Sequence, residues 1–154
     1  PNPNQSKQSE SPTKKEDGET RILDLFCGCG GFSLGFRMAF PDAEIIGVDI
    51  DRSACKTYQY NKVGQAIRAD VRHLPIKPEP GLFDIIIGSP PCQPFSPLNR
   101  TKRGRKHPLW DLVLWFFLHI LVFQPKAWVM EEVPGITKDP FYRPLIKTLC
   151  ENQH

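Results

Sequence analysis

The sequence predicts an α/β fold, a mostly parallel sheet covered by helices on both faces. Three observations lead to that class. Short apolar, β-branched runs alternate with segments of helical character along most of the chain. Parallel strands need crossover connections, and helices supply them, so this alternation matches a parallel sheet better than a series of hairpins. The first run also feeds a glycine-rich turn, and later runs end on Asp49, Asp70, Gly88 and Glu131. Polar and glycine residues gathered at strand ends suit a sheet whose carboxyl rim holds a site.

Taken in order, residues 1–20 contain no large apolar side chain. They cannot bury enough surface to offset the entropy of ordering, which predicts a disordered arm or linker. Arg21 to Phe26 reads as the first strand, and a helix runs from about Phe32 to Phe40, ended by Pro41. Glu44 to Val48 is the second strand, ending in Asp49. A helix from Asp51 to about Asn61 follows, with Asp51 or Ser53 as its cap. Gln65 to Ala69 is the third strand, ending at Asp70, and Leu82 to Ile87, bounded by Gly81 and Gly88, is the fourth. A long helix from about Leu109 to Phe123 is apolar nearly all round, which predicts burial on two sides. Its run is shorter than the ~20 residues of a membrane span and contains His119, so no membrane association is expected. Ala127 to Met130 is the fifth strand, ending at Glu131 and neighbouring the fourth.

The 154 residues are enough for one domain with a real core, placed here at 21–154. A net charge of +3 and a pI near 8.7 are compatible with a nucleic-acid partner without arguing for one. Five cysteines, an odd number with no Cys-x-x-Cys pair, do not form a disulfide framework and suit an intracellular, reducing compartment. Cys27-Gly28-Cys29 lacks a second Cys or His pair, so no metal is expected. The N-terminus has no apolar secretory segment, and it begins with proline, as a processed or excised chain would.

Three stretches carry candidate chemistry. In Gly88-Ser89-Pro90-Pro91-Cys92-Gln93-Pro94-Phe95-Ser96, two prolines stiffen the chain just before one cysteine. Cys92 is thereby presented from a rigid turn at a strand's carboxyl end. In Phe26-Cys27-Gly28-Cys29-Gly30-Gly31, glycines permit close approach of a ligand to the backbone, and no Lys-Ser/Thr pair follows to make a P-loop. Asp49 lies about 20 residues further on, the spacing of a ribose-binding carboxylate. From Ser96 to His107 the chain carries Arg100, Lys102, Arg103, Arg105 and Lys106 with no acid, which suits contact with phosphates and also a merely solvated loop or a nuclear-localisation patch.

Pro-Pro-Cys-Gln-Pro-Phe-Ser at residues 90–96, Asp24-Leu25-Phe26-Cys27-Gly28-Cys29-Gly30-Gly31-Phe32 upstream and Glu131-Glu132-Val133-Pro134-Gly135 downstream together resemble the cytosine-C5 DNA methyltransferase family. The resemblance covers Arg21 to the chain end, and only the N-terminal part of a family member's catalytic domain. It implies an incomplete Rossmann-like fold that binds S-adenosylmethionine. By the resemblance, Phe26, Gly28 and Gly30 line the methionine end, with Cys29, Gly31 and Pro91 also in contact. Asp49 holds the ribose, Ile50 packs on the adenine, and Asp70 takes its amino group with Val71 beside it. Cys92 is the nucleophile that adds to cytosine C6, and Glu131 is the acid that neutralises the ring. Ser96, Arg100, Lys102, Arg103, Arg105 and Lys106 contact DNA.

Glu132 stands where the family usually has asparagine, and the segments that read a DNA sequence and close the cofactor pocket have no counterpart here. The resemblance therefore implies a complementary C-terminal fragment or subunit, or self-association that mimics it. Transfer RNA as substrate and a non-catalytic regulatory subunit are the alternative readings.

Overall fold

A computed structural model describes residues 18–99 and 103–151. Most of the expected arm, and with it Arg100 and Lys102 of the basic loop, lies outside the described residues. The last residues of that arm are ordered, contrary to expectation: the Thr20 carbonyl accepts the Glu44 N–H at 2.9 Å, and Glu19 pairs with Arg21 at 3.5 Å. The first ladder captures them because its hydrogen bonding runs one residue past the strand.

Five strands are present among the described residues: β1 (Arg21–Leu25), β2 (Glu44–Asp49), β3 (Gln65–Arg68), β4 (Ile85–Gly88) and β5 (Ala127–Met130). They form one sheet in the order β3-β2-β1-β4-β5, and every pair is parallel. The helices are α1 (Gly31–Ala39), α2 (Arg52–Tyr60), α3 (Leu112–Phe123) and α4 (Tyr142–Glu151). Strands two and three build outward on one side of β1, and strands four and five on the other. The order reverses between β1 and β4, and a crevice opens outside the carboxyl ends at such a point.

Strand alternation assigns the two faces. Leu23, Leu25, Ile46, Val48, Ile67 and Ile86 pack with Val113, Phe116, Phe117 and Ile120 of α3. On the opposite face Ile22, Ile45 and Ile87 meet Phe32 and Phe36 of α1, while Cys55 and Tyr58 of α2 cover Cys27, Val63 and Ala66. Asp51 is the α2 cap, its side chain accepting the Ala54 N–H at 2.7 Å, and Ser53 is not.

Two boundaries differ from the sequence reading. β4 starts at Ile85, not Leu82, although Leu82 and Phe83 are buried. Phe83 is held by ring packing against Phe123 at 5.1 Å, so its apolar character reflects core burial before the ladder begins. Helix α3 starts at Leu112, not Leu109, because Leu109 is taken into a turn in which its N–H donates to His107 Nδ1 at 3.1 Å. Nor is α3 buried on two sides: Leu121 is 57% exposed and Val122 40% exposed. Helix α4 was not anticipated, although Tyr142, Leu145, Ile146 and Leu149 repeat at helical spacing and pack on the main core.

Gly88 ties these layers together. A Cβ there would fall 2.6 Å from the Leu25 carbonyl oxygen and 2.9 Å from the Phe116 ring, so β1, β4 and α3 meet only because the side chain is missing. Gly88→Ala should destabilise the fold by about 1–3 kcal/mol, the usual cost of overpacking, read as a lowered urea midpoint at unchanged slope. An unchanged midpoint would mean that the layers have room to part.

Candidate active site

The carboxyl ends of β1, β2 and β3 build one wall of a cleft. After β1, Phe26 adopts a left-handed conformation (φ 62°), a rare and strained state for a non-glycine residue. The chain then turns through Gly28 and Gly30, and the Gly28 N–H donates to Asp49 Oδ2 at 2.9 Å. The Asp51 N–H donates to Asp49 Oδ1 at 2.9 Å. Two backbone donors thus hold the Asp49 carboxylate in one orientation, and each oxygen keeps a further lone pair. At the end of β3, Asp70 Oδ1 accepts the Arg72 N–H at 2.9 Å and starts a 3₁₀ turn, Val71–His73.

These residues enclose a cleft of about 360 Å³, within the size range of small-molecule sites. It is lined by Phe26, Asp49, Ile50, Asp70, Val71 and Pro91, all six of them predicted from the sequence. Ala69, Arg72, Ser89, Gln93, Leu109 and Leu112 line it as well and were not predicted. Proximity to Asp70 and Cys92 was a usable signal for Arg72, Ser89 and Gln93. The contribution of Leu109 and Leu112 depends on where α3 docks, and nothing in the sequence states that.

The glycine turn divides differently. Gly28, Cys29, Gly30 and Gly31 do not line this cleft. A Cβ on Gly30 would lie 2.7 Å from Val63 and 2.9 Å from Tyr58, and its φ is 95°. Packing against α2 and backbone conformation are therefore enough to require glycine there. The Cys27 thiol is buried and pushed far above its ordinary pKa by that burial, whereas Cys29 is exposed.

The opposite wall rises from β4 and β5. The Ser89 N–H donates to the Leu25 carbonyl at 3.3 Å, and the Glu131 N–H donates to the Gly88 carbonyl at 3.0 Å, so both loops leave the same rim. The Cys92 carbonyl accepts N–H groups from Phe95 and Ser96, both at 3.0 Å. That tight turn buries Pro94 and Phe95 and leaves Cys92 exposed. Phe95 packs edge-on to Tyr142 at 5.5 Å. A Cβ on Gly135 would fall 2.2 Å from the Phe95 carbonyl oxygen, so the segment after Glu131 lies directly against the Cys92 turn. Gly135 was part of the recognised motif, but its role is visible only in this contact.

The basic loop borders a second, larger cleft of about 510 Å³, lined by Arg103, Arg105, Lys106, Asp139 and Phe141 among others. Asp49 and Asp70 line the smaller cleft and not this one, so the smaller cleft is the candidate for a cofactor despite its size. Cys92 and Glu131, both predicted from the sequence, line neither cleft and stand on the rim beside Pro91 and Gln93 of the smaller one. The Arg105 guanidinium lies 5.1 Å from the ring centres of both Trp110 and Phe141, folded back on aromatic faces. Arg103 and Lys106 are exposed, and the Ser96 hydroxyl accepts the Leu98 N–H at 3.3 Å within its own turn.

The chain matches the family model described as C-5 cytosine-specific DNA methylase over residues 20–151. It belongs to that family. Among curated relatives, Type II methyltransferase M.DdeI of Desulfomicrobium norvegicum is 40% identical over 119 residues, covering 75% of this chain and 28% of the relative. Type II methyltransferase M.NlaX of Neisseria lactamica is 34% identical over 114 residues, covering 73% of this chain and 36% of the relative. The chain therefore spans about a third of the length of these two relatives. M.HgiGI of Herpetosiphon aurantiacus is 37% identical over 124 residues, and there the match covers 88% of the relative. Among solved structures, the plantazolicin methyltransferase BpumL in complex with SAH overlays with a TM-score of 0.41 at 21% identity, over 46% of this chain and 27% of that one. Among the described residues, no helix is long and apolar enough to cross a membrane.

Two acids in this family member, Asp24 buried and Glu132 half-buried, have carboxyls raised well above the usual range. Asp24 is raised to about 7 by burial, relieved in part by the Ser33 hydroxyl, which donates to its Oδ2 at 2.6 Å. Glu132 is also raised to about 7, chiefly by burial and secondarily by the Glu131 charge, while the Val133 N–H donates to its Oε2. Its Oε1 is buried and has no hydrogen-bond partner among the described residues. An acid with a raised folded-state pKa favours its protonated form, so its contribution is full below about 4.5 and is lost as pH rises towards about 7. The stability of the native chain relative to Glu132→Gln should fall across that window and level off above it, with Asp24 cancelling because both proteins carry it. Thermal melts of the two proteins from pH 4.5 to pH 8.5 test this, and a constant difference in Tm would place Glu132 at an ordinary pKa.

Proposed function

We propose that this chain supplies the S-adenosylmethionine cleft and the nucleophile for methylation of cytosine C5 in DNA. The observation that carries the reading is convergence at one rim. Asp49 and Asp70 stand at the ends of β2 and β3, and the Cys92 turn and Glu131 leave β4 and β5 across the same crevice. The lining fits the cofactor. The oriented Asp49 carboxylate suits ribose hydroxyls, Asp70 suits an exocyclic amine, and Phe26, Ile50, Val71 and Pro91 offer apolar walls to a purine and a sulfonium-bearing chain. When bound, S-adenosylmethionine supplies an electrophilic methyl group.

The residues of the chain do the rest. The Cys92 thiolate adds to cytosine C6, forming an S–C bond and moving electron density from the ring double bond towards C5. Glu131, as the protonated acid, donates to N3 and so neutralises the charge that the addition places on the ring. After C5 is methylated, a base removes its proton, the double bond reforms, and Cys92 leaves as thiolate. The Pro90-Pro91 pair and the turn through Phe95 keep the sulfur presented without a reorganisation cost. Arg103, Arg105 and Lys106, next along the chain, suit the phosphates of a strand whose target base is flipped out.

Membership of a DNA methylase family favours DNA over transfer RNA, and an exposed Cys92 beside the Glu131 segment favours a catalytic role over scaffolding. M.DdeI and M.NlaX extend well beyond the matched length, β5 leaves Ala127 and Val129 exposed, and Ile50 is 64% exposed. A complementary segment, or a second copy acting as one, would cover these surfaces and read the DNA sequence. The working compartment is then an intracellular one that holds DNA.

Incubation with an oligonucleotide carrying 5-fluorocytosine, with cofactor and a complementary segment present, should yield a covalent adduct through Cys92. An equal yield from Cys92→Ser would reject this assignment. Asp49→Ala should weaken S-adenosylhomocysteine binding about tenfold or more, the effect of losing a charged hydrogen bond worth about 1.5–3 kcal/mol. Calorimetry showing unchanged affinity would remove Asp49 from the site.

A further inference from the structure

Arg72 lines the cleft, and neither the family motifs nor the mechanism above assigns it a role. It sits in the 3₁₀ turn that Asp70 opens, and its guanidinium meets Asp111 through two parallel hydrogen bonds, Nε to Oδ2 at 3.0 Å and Nη2 to Oδ1 at 3.1 Å. This fork-to-fork geometry is the most directional ion pair that side chains make. Its Nη1 reaches back to Asp70 Oδ2 at 3.4 Å, and its backbone N–H donates to Asp70 Oδ1 at 2.9 Å. Asp111 occupies the N-cap position of α3 yet makes no cap hydrogen bond, because its carboxylate is turned to Arg72 instead. The same turn is held to α3 a second time, where His119 Nε2 lies 2.8 Å from the Val71 carbonyl. Asp70, Val71 and Arg72 are thus fastened to a helix whose N-cap, Asp111, lies 39 residues after Arg72.

The consequence falls on Asp70. A carboxylate offers about four acceptor positions, and Arg72 occupies two of them from one side. The other two remain for the cleft that Asp70 lines. Neither of the two Asp70 oxygens can then rotate away without losing a donor. Carboxylate oxygens placed in this way accept from an exocyclic amino group and repel a carbonyl oxygen.

We propose that Arg72 is a positioning residue for purine recognition: by gripping Asp111 with its guanidinium and Asp70 with its backbone N–H, it aims the Asp70 carboxylate into the cleft and sets a preference for a 6-amino over a 6-oxo purine. The inference rests on the S-adenosylmethionine reading of the cleft. Its chemistry needs the fork as well as the charge, and lysine cannot reproduce the fork.

The test compares S-adenosylhomocysteine with S-inosylhomocysteine, which carry an amino and an oxo group at the purine 6-position, by calorimetry on the chain and its variants, each with a complementary segment present. The unaltered chain should bind the adenosyl ligand at least tenfold more tightly. Arg72→Ala should weaken adenosyl binding about tenfold and shrink the margin over the inosyl ligand to near unity, with a cooperative melt retained. Arg72→Lys should keep part of the affinity but lose most of the margin, and it serves the same comparison if the alanine variant does not melt cooperatively. A margin unchanged in these variants would overturn the role of Arg72 while leaving the cofactor reading intact. Failure of the unaltered chain to bind either ligand would overturn both.

Discussion

The parallel pairing of β1 with β4 is the constraint on which the rest depends. At its carboxyl end the Leu25 carbonyl accepts the Ser89 N–H and lies where a Cβ on Gly88 would have to be. From that junction the chain leaves in two directions. β1 continues into the Phe26–Gly31 turn and thence to Asp49 and Asp70, while β4 continues into the rigid turn that carries Cys92. Because the strand order reverses between these two strands, their connections diverge and open a crevice, which the two sets of loops then line from either side. Asp49 and the Cys92 turn are brought to one rim by this ladder, although they lie far apart in sequence.

Around this junction, polar groups are placed at some cost to local structure. Phe26 accepts a left-handed backbone, Asp111 gives up its cap to reach Arg72, and among the described residues the buried Asp24 carboxylate has Ser33 as its one side-chain donor. Ser33 in turn lies 2.7 Å from the Tyr58 hydroxyl, which extends the buried polar chain from β1 through α1 to α2. Such departures from local preference persist only where surrounding packing over-determines them, and they gather here at the edges of the cleft. Glu132 belongs with them, since burial raises its carboxyl to about 7, well above the usual carboxylate range.

The Cys92 turn is supported from beneath by aromatic packing. Phe95 meets Tyr142, Tyr142 meets Trp110 at 4.7 Å, and the Tyr142 hydroxyl donates to the Trp110 carbonyl at 2.7 Å. Trp110 Nε1 donates to Asp139 Oδ2 at 3.1 Å, and Arg105 lies over Trp110 and Phe141. Helix α4 and the residues before it thus pack beneath both the Cys92 turn and Arg105.

The strands, the first two helices and six lining residues of the cleft were legible in the sequence, because each depends on chain-local chemistry. Alternating β-branched runs, an Asp cap, a proline stop and a glycine turn all act within a few residues. What lay outside that reach was decided by packing. Leu82 and Phe83 look like strand and are core, since hydrophobic character records burial and not hydrogen bonding. α3 looks buried all round but turns Leu121 and Val122 outward, since a helix meets a sheet along one face. Gly30 looks like a ligand contact but is required by Val63 and Tyr58. Sequence alone thus determined the parallel α/β class, the rim residues Asp49, Asp70, Cys92 and Glu131, and the family to which they point. Only the tertiary structure decided that Arg72 spans to Asp111, that Gly135 presses on Phe95, and that Gly30 packs against Val63 and Tyr58, because each of these is a contact between segments whose separation in sequence carries no record of their distance in space.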